Sequence, residues 1–116
     1  MTQRALQEPT LLLLTALADQ PRHGYAIAQE VLAISDGRVR LRTGTLYTAL
    51  ERLVQEGLIE VDSEQTVGGR LRRAYRLTRL GGGVLAAEVE RLRATAAEAE
   101  RRLAVPGSPR WKEVTA

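Results

Sequence analysis

Cysteine is absent from the chain, and aromatic residues are scarce, at 3% of 116 positions with no phenylalanine. The absence of cysteine excludes disulfides, thiol redox sensing and thiolate metal sites. The most apolar stretch, within residues 11–18, is far shorter than a membrane span, and the first residues lack the basic flank and cleavage site of a signal peptide. We therefore expect a cytoplasmic protein with a single domain and a thin aliphatic core, part of which a partner subunit covers.

Charge is distributed unevenly, although the chain as a whole carries a net charge of only +3. Residues 1–37 contain two arginines and four acids, a balance of −2, and residues 80–116 have a balance of +1. The middle segment, residues 38–79, contains nine arginines against five acids, a balance of +4. A basic segment of this size suggests a polyanionic partner, but it is weak evidence alone because a GC-rich genome also enriches arginine.

Helical patterns occupy the first half of the chain. We predict helices over roughly 9–19, from His23-Gly24 to a stop at 35–37, and over 44–56, with Thr43 as the N-cap of the third. Residues of the third helix recur at helical spacing and predict its buried face: Leu46, Leu50, Leu53 and Val54.

Alternating apolar residues predict three strands. Residues 38–41 read as a short strand before the third helix, and residues 58–64 read as a half-buried strand that turns at Gly68-Gly69. The apolar residues that we expect to face inward from the hairpin are Ile59, Val61, Leu71, Tyr75 and Leu77. The arginines of its tip and returning strand are Arg70, Arg72, Arg73 and Arg76.

A long final helix is predicted from a cap at Thr78 to about Ala104. Its glycines at 81–83 each weaken it by roughly 1 kcal/mol relative to alanine, which favours a bend or a close contact there. Apolar residues beyond them follow a 4-3-4-3-4 spacing, the seam of a coiled coil, which predicts dimerisation through Leu85, Val89, Leu92, Ala96, Ala99 and Leu103. We expect the chain to divide into a first domain over 1–78, a dimerisation helix over 79–105 and a flexible tail over 106–116.

The order of elements indicates a winged helix-turn-helix, a mainly α fold with a small β hairpin, because a helix-turn-helix is followed directly by a basic hairpin. In such a domain the third helix approaches base edges in the major groove and the hairpin approaches phosphates. The candidate DNA-binding residues are His23, Tyr25, Arg42, Thr43, Thr45, Tyr47, Thr48, Arg52, Arg70, Arg72 and Arg73. Of these, we assign sequence preference to Thr45, Thr48 and Arg52.

The chain also resembles the PadR-type transcriptional regulators over about residues 9–83. The resemblance is carried by Pro21-Arg22-His23-Gly24-Tyr25, Thr43-Gly44-Thr45-Leu46-Tyr47, Glu56-Gly57-Leu58-Ile59 and Tyr75-Arg76-Leu77-Thr78. It differs from the family pattern at Thr48 and Leu71, where proline is usual. The resemblance implies a homodimeric repressor of the small subgroup, in which the single C-terminal helix packs on the partner. Such repressors commonly respond to a small molecule, and the sequence does not identify an effector for this chain.

Other interpretations remain open at this stage. A winged domain can serve as a protein–protein adaptor, although the polar third helix and basic hairpin favour double-stranded DNA. The chain has one histidine, no paired carboxylates, no metal-ligand cluster and no phosphate loop, so we expect neither an enzyme nor a cofactor. Trp111 lies after two prolines in the tail, where we expect packing or disorder rather than ligand binding.

Overall fold

Four helices and a three-stranded antiparallel sheet form the part of the chain that the computed structural model describes, residues 5–107. The helices are α1 (Glu8–Ala16), α2 (Gly24–Ile34), α3 (Thr43–Gln55) and α4 (Arg79–Leu103). The strands are β1 (Arg22–His23), β2 (Ile59–Val67) and β3 (Arg70–Leu77), in the order β1-β3-β2. The predicted mainly α fold with a β hairpin is confirmed, and β1 is an addition that the sequence analysis did not predict.

The core lies where the first three helices meet the base of the sheet. Residues 12–14 of α1 are buried together, as expected for a helix that is apolar over most of its surface. The other large apolar side chains that are fully buried come from α2, α3 and β2: Ile27, Val31, Leu50, Leu53 and Ile59. Each such side chain contributes about 1.5–3 kcal/mol by leaving water, so this cluster accounts for the packing of α3 against α1 and α2.

The hairpin of β2 and β3, residues 59–77, is called the wing below. Its two-residue turn places both Gly68 and Gly69 at positive φ, the conformation of a type I′ turn that glycine adopts without strain. A bulge at Asp62 shifts the register, so that Val61 pairs with Tyr75 and Ser63 pairs with Ala74. The expectation that Val61 and Leu71 face inward is wrong, because they are 38% and 57% exposed where the wing extends away from the core.

The segment before α3 is a loop and not the predicted strand over 38–41. Ser35 explains its course: the buried hydroxyl donates to the Leu32 carbonyl and accepts from the Val39 amide, at 3.2 and 3.0 Å. Asp36 and Gly37 adopt positive φ and end α2. The chain therefore turns sharply at 35–39, and no strand of the sheet runs beside residues 38–41 to pair with them.

The boundaries of α1 and α3 also differ from the prediction. Helix α1 ends at Ala16 rather than near residue 19, and the Arg22 side chain donates to the Ala16 carbonyl over 2.8 Å. Helix α3 includes Thr43, with Arg42 at the N-cap position and no side-chain capping bond. Thr43 is therefore not the cap, and its hydroxyl lies on the exposed first turn.

Helix α4 is attached to the domain at its first turn. Thr78 caps it as predicted: the hydroxyl accepts from the Gly81 amide at 3.0 Å and donates to the Gly57 carbonyl at 2.6 Å. A Cβ on Gly81 would lie 1.9 Å from the backbone oxygen of Leu58. The close contact expected at the glycines therefore falls on Gly81, where the helix axis approaches the backbone that leads into β2.

A second attachment joins the N-terminal segment to α4. The Glu88 side chain is buried, accepts from the Leu6 amide at 3.2 Å and forms two 2.8 Å contacts with the Arg91 guanidinium. The hydrogen bond from Arg91 holds the pKa of Glu88 below its ordinary value, against the opposing effect of burial, and the Leu6 amide adds to the lowering.

Candidate nucleic-acid interface

Helix α3 presents a polar surface on the side opposite its buried leucines. Leu46, Leu50 and Leu53 are buried, and at 100° per residue the direction opposite them is occupied by Gly44, Thr48, Glu51 and Gln55, all exposed. These four residues are called the outward face below. Thr45 and Arg52 lie on one flank of it, where they share a shallow surface with Gly44, Thr48 and Ala49. The sequence-predicted row of Thr45, Thr48 and Arg52 is thus brought together.

Arg52 differs from its two neighbours because its guanidinium is already engaged. It contacts both carboxylate oxygens of Glu56, at 3.0 and 3.2 Å, and donates to the Thr10 hydroxyl at 3.0 Å. A contact with a base would require Arg52 to leave both groups, whereas the hydroxyls of Thr45 and Thr48 are exposed.

Unpaired arginines lead into α3. Arg40 and Arg42 are exposed, and neither forms an ion pair or side-chain hydrogen bond within residues 5–107. Arg42 stands at the N-cap of α3, beside Thr43 of the first turn. Positive charge at this position lies next to the helix end that a DNA backbone approaches in a helix-turn-helix complex.

Tyr47 is held on the opposite flank of α3 by a close approach to α2. A Cβ on Gly24 would lie 2.6 Å from the Tyr47 hydroxyl, so the ring occupies space that only glycine leaves free. Tyr25 follows in the first turn of α2 and is 69% exposed. His23 pairs through its backbone with Ala74 in the sheet, and its Nδ1 is buried without a hydrogen-bond partner among the described residues. Tyr25 and Tyr47 are therefore exposed to solvent, whereas His23 is only half-buried and is held in the sheet by its backbone.

The wing arginines form two groups. Arg70 and Arg72 are exposed and have no ionic partner in the part of the chain described. Arg73 is paired with Glu64 at 2.9 Å, and this carboxylate holds the pKa of the guanidinium above its ordinary value. Arg76 is paired with Glu60 and Asp62, at 2.7 and 3.3 Å. Two of the four wing arginines are therefore neutralised by acids across the hairpin.

A cleft joins the wing tip to the helices. Its walls are Tyr25, Tyr47, Val67, Arg70, Leu71 and Arg72. Two candidate tyrosines, one from α2 and one from α3, thus line the same cleft as two candidate arginines of the wing. Gly44, Glu51 and Gln55 were not among the predicted DNA-binding residues, although helical spacing alone places Glu51 and Gln55 on the exposed side of α3 with Thr48.

The six predicted dimerisation residues of α4, called the stripe below, divide into two parts. Leu85 packs against the domain's own core. Val89 and Leu92 are 38% and 41% exposed, and Ala96, Ala99 and Leu103 are also exposed. The same helical face therefore covers its own domain at one end and is open to solvent along most of its length.

Residues 5–107 include no group of histidine, cysteine and acidic side chains suited to a metal ion. None of the helices in residues 5–107 combines the length and the apolar character that crossing a bilayer requires. Trp111 lies outside the described residues, so the expectation about it stays a prediction.

Known proteins are similar to this chain in sequence and in fold. The model of the transcriptional regulator PadR-like family matches residues 13–87. The transcriptional regulator Rv3488 of Mycobacterium tuberculosis is 40% identical over 75 residues, which cover 65% of this chain and 66% of that protein. An uncharacterised protein of Lysinibacillus sphaericus is 30% identical over 74 residues, which cover 64% of this chain and 68% of that protein. This chain thus spans about two thirds of the length of both relatives.

Solved structures share the fold at lower identity. A PadR family transcription regulator from Clostridium difficile superposes with a TM-score of 0.68 at 24% identity, covering 84% of this chain and 99% of that one. Bacillus subtilis PadR, solved in complex with operator DNA, has a TM-score of 0.64 at 19% identity and covers 75% of this chain and 49% of that one.

Proposed function

Because the chain belongs to the PadR-like family of transcriptional regulators, which are not enzymes, we propose that it binds operator DNA as a homodimer and represses transcription. The observation that carries this proposal is the outward face of α3, which is polar, exposed and bordered by unpaired arginines on two sides. Arg40 and Arg42 precede the helix, and Arg70 and Arg72 stand on the wing. A surface with this charge pattern is complementary to a groove lined by phosphates.

Side-chain length and charge suggest which residues would contact bases and which would contact phosphates. Thr45 and Thr48 carry short hydroxyls near the start of α3 and suit base edges, and Arg52 suits guanine once it leaves Glu56. Arg70 and Arg72 suit phosphates, because a free guanidinium on a strand reaches the backbone beside the groove. Bacillus subtilis PadR, which shares the fold, was solved in complex with operator DNA, and this supports DNA as the partner of the surface.

Dimerisation is proposed from the stripe of α4. Val89 and Leu92 are exposed on a face whose other end packs the half-buried Leu85 against the core, and a second copy of α4 would cover them. Two α3 helices in such a dimer would enter successive major grooves, about 34 Å apart. The domain division at 78–79 is part of the same proposal.

An effector would act by changing the distance between the two α3 helices of the dimer. A small molecule that moved one α4 against the other would change the separation of the two α3 helices and weaken operator binding. Operator binding would take place in the cytoplasm, where bacterial DNA lies.

A mobility-shift assay tests the proposal. We expect the full chain to retard the DNA upstream of its own gene in the presence of excess random DNA. The same fragment with its sequence scrambled is the control: equal retardation of both would contradict operator recognition, and retardation of neither would argue for an adaptor without DNA binding.

A further inference from the structure

Glu51 is the one acidic side chain on the outward face of α3. It is exposed and has no ion pair or side-chain hydrogen bond within the described residues. Three acids that follow it in the chain are each paired with an arginine: Glu56 with Arg52, Glu60 with Arg76, and Glu64 with Arg73. Glu51 lies at the edge of a cleft between α3 and the wing that also contains Arg73, yet Arg73 is paired with Glu64.

A free carboxylate at this place opposes the binding of any DNA. The flanking arginines attract phosphates, and a negative charge between them repels the same groups. The carboxylate also loses its hydration when the helix enters a groove, which costs free energy unless the DNA supplies a hydrogen-bond donor. The affinity for DNA therefore depends on whether the base edge opposite Glu51 carries a hydrogen-bond donor.

The donors available in a major groove are few. An ionised carboxylate only accepts hydrogen bonds. Cytosine presents its N4 amino group, and adenine presents N6 beside the acceptor N7, whereas guanine presents two acceptors, N7 and O6. We propose that Glu51 is a specificity-determining residue that accepts a hydrogen bond from N4 of one cytosine per half-site and disfavours guanine there. This inference rests on the proposed binding of operator DNA.

The geometry of α3 gives Glu51 a place in a row. Thr48, Glu51 and Gln55 lie at i, i+3 and i+7 on the outward face. Seven residues of helix rise about 10 Å, which matches about three base-pair steps of 3.4 Å. The cytosine is therefore expected next to the base pair that faces Thr48.

Binding-site selection with the full chain tests the inference. We compare the wild type with Glu51→Ala and Glu51→Gln. The wild-type motif should contain one cytosine per half-site whose replacement by guanine lowers affinity about tenfold, the size of a typical mismatch. Glu51→Ala should reduce this penalty to less than about twofold, and Glu51→Gln should move the preference towards adenine, which an amide contacts at N6 and N7.

Glu90→Gln is the matched control, because Glu90 is an exposed acid of α4 without an ionic partner among the described residues. It changes the net charge as Glu51→Gln does and should leave the motif unchanged. Identical motifs for the wild type and Glu51→Ala would overturn the inference while leaving operator binding intact. A wild type that selects no motif would overturn both.

Discussion

The arginines of the wing are alike in sequence but differ in what they can offer to DNA. Arg73 and Arg76 face Glu64 and Glu60 directly across the hairpin, and each forms an ion pair there. Arg70 and Arg72 face Val67 and Gln65, which carry no charge. Of these four, only Arg70 and Arg72 are therefore free of an acidic partner among the described residues and available to contact phosphates.

Arg72→Ala should weaken binding to operator and random DNA by similar factors. Each phosphate contact contributes about 0.9 to the slope of log affinity against log salt, so the slope should fall by roughly two for a symmetric dimer. Titrations at several salt concentrations measure it. Arg76→Ala is the control and should change the slope less, because Glu60 and Asp62 already neutralise that guanidinium. Equal changes for the two variants would contradict this division of the wing.

Glu88→Gln tests the attachment of the N-terminal segment. The ordinary pKa of a glutamate side chain is 4.5, and that of Glu88 is lower in the folded protein. Above pH 4.5 the ionised Glu88 therefore stabilises the folded state through its bonds to Arg91 and the Leu6 amide. The variant should therefore be less stable than the wild type at pH 7. The difference should disappear as the pH falls below 4.5 and through the lowered pKa, because the wild-type carboxyl then becomes protonated as well.

Chemical denaturation at a series of pH values measures this effect. Glu98→Gln is the control, since Glu98 pairs with Arg101 and Arg102 on an exposed part of α4, where such pairs contribute little. A pH-independent difference between Glu88→Gln and the wild type would show that the charge of Glu88 is not what stabilises the segment.

At the scale of elements, α4 depends on one glycine for its position. A methyl group on Gly81 would meet the Leu58 backbone at 1.9 Å, and that oxygen also accepts from the Thr78 amide. The contact is between the backbone of α4 and the backbone at Leu58, and neither can move aside as a flexible side chain could. The angle at which α4 leaves the domain is therefore set by this contact.

Gly81→Ala should lower the free energy of unfolding by at least about 2 kcal/mol, a cost typical of overpacking. Gly83→Ala is the matched control two residues along the same helix, where a Cβ meets nothing within 4 Å. It should raise the free energy of unfolding by up to about 1 kcal/mol through helix propensity. Thermal or urea unfolding compares the two, and destabilisation of both to the same extent would refute the role of the Leu58 contact.

At the scale of the whole molecule, the stripe of α4 packs on its own domain at one end and is the proposed dimer contact along the rest. Leu85 is covered by the same chain, and Leu92, two helical turns further on, is exposed. A helix of 25 residues is about 37 Å long and extends past the core that it covers at its start. Val89 and Leu92, in the exposed part, are where the proposed second copy of α4 would pack.

Leu92→Glu should convert the dimer to a monomer and abolish operator binding together, because a buried leucine contributes about 1.5–3 kcal/mol per subunit. Light scattering measures the mass, and a mobility shift measures DNA binding. Ala94→Glu is the control: Ala94 is exposed on the opposite face of α4, so the dimer should persist. A wild type with the mass of one subunit at micromolar concentration would refute the proposed dimer.

The sequence by itself determined the type and order of the main elements, because hydrophobic period and capping are local properties. The buried leucines of α3, the glycine turn of the wing and the Thr78 cap all follow from residues close together in the chain. It also determined which side of α3 faces away from the core. Those features were sufficient to identify a winged helix-turn-helix and its candidate interface.

Only the tertiary structure decided what depends on contacts between distant residues. The two-residue strand β1 exists because β3 runs beside it, and the segment 38–41 is a loop because no strand does. Arg52 is engaged by Thr10, 42 residues away, while Glu51 next to it is left free. Charge and spacing predict that a side chain can reach DNA, but whether it is available depends on which neighbours the fold brings within hydrogen-bond distance.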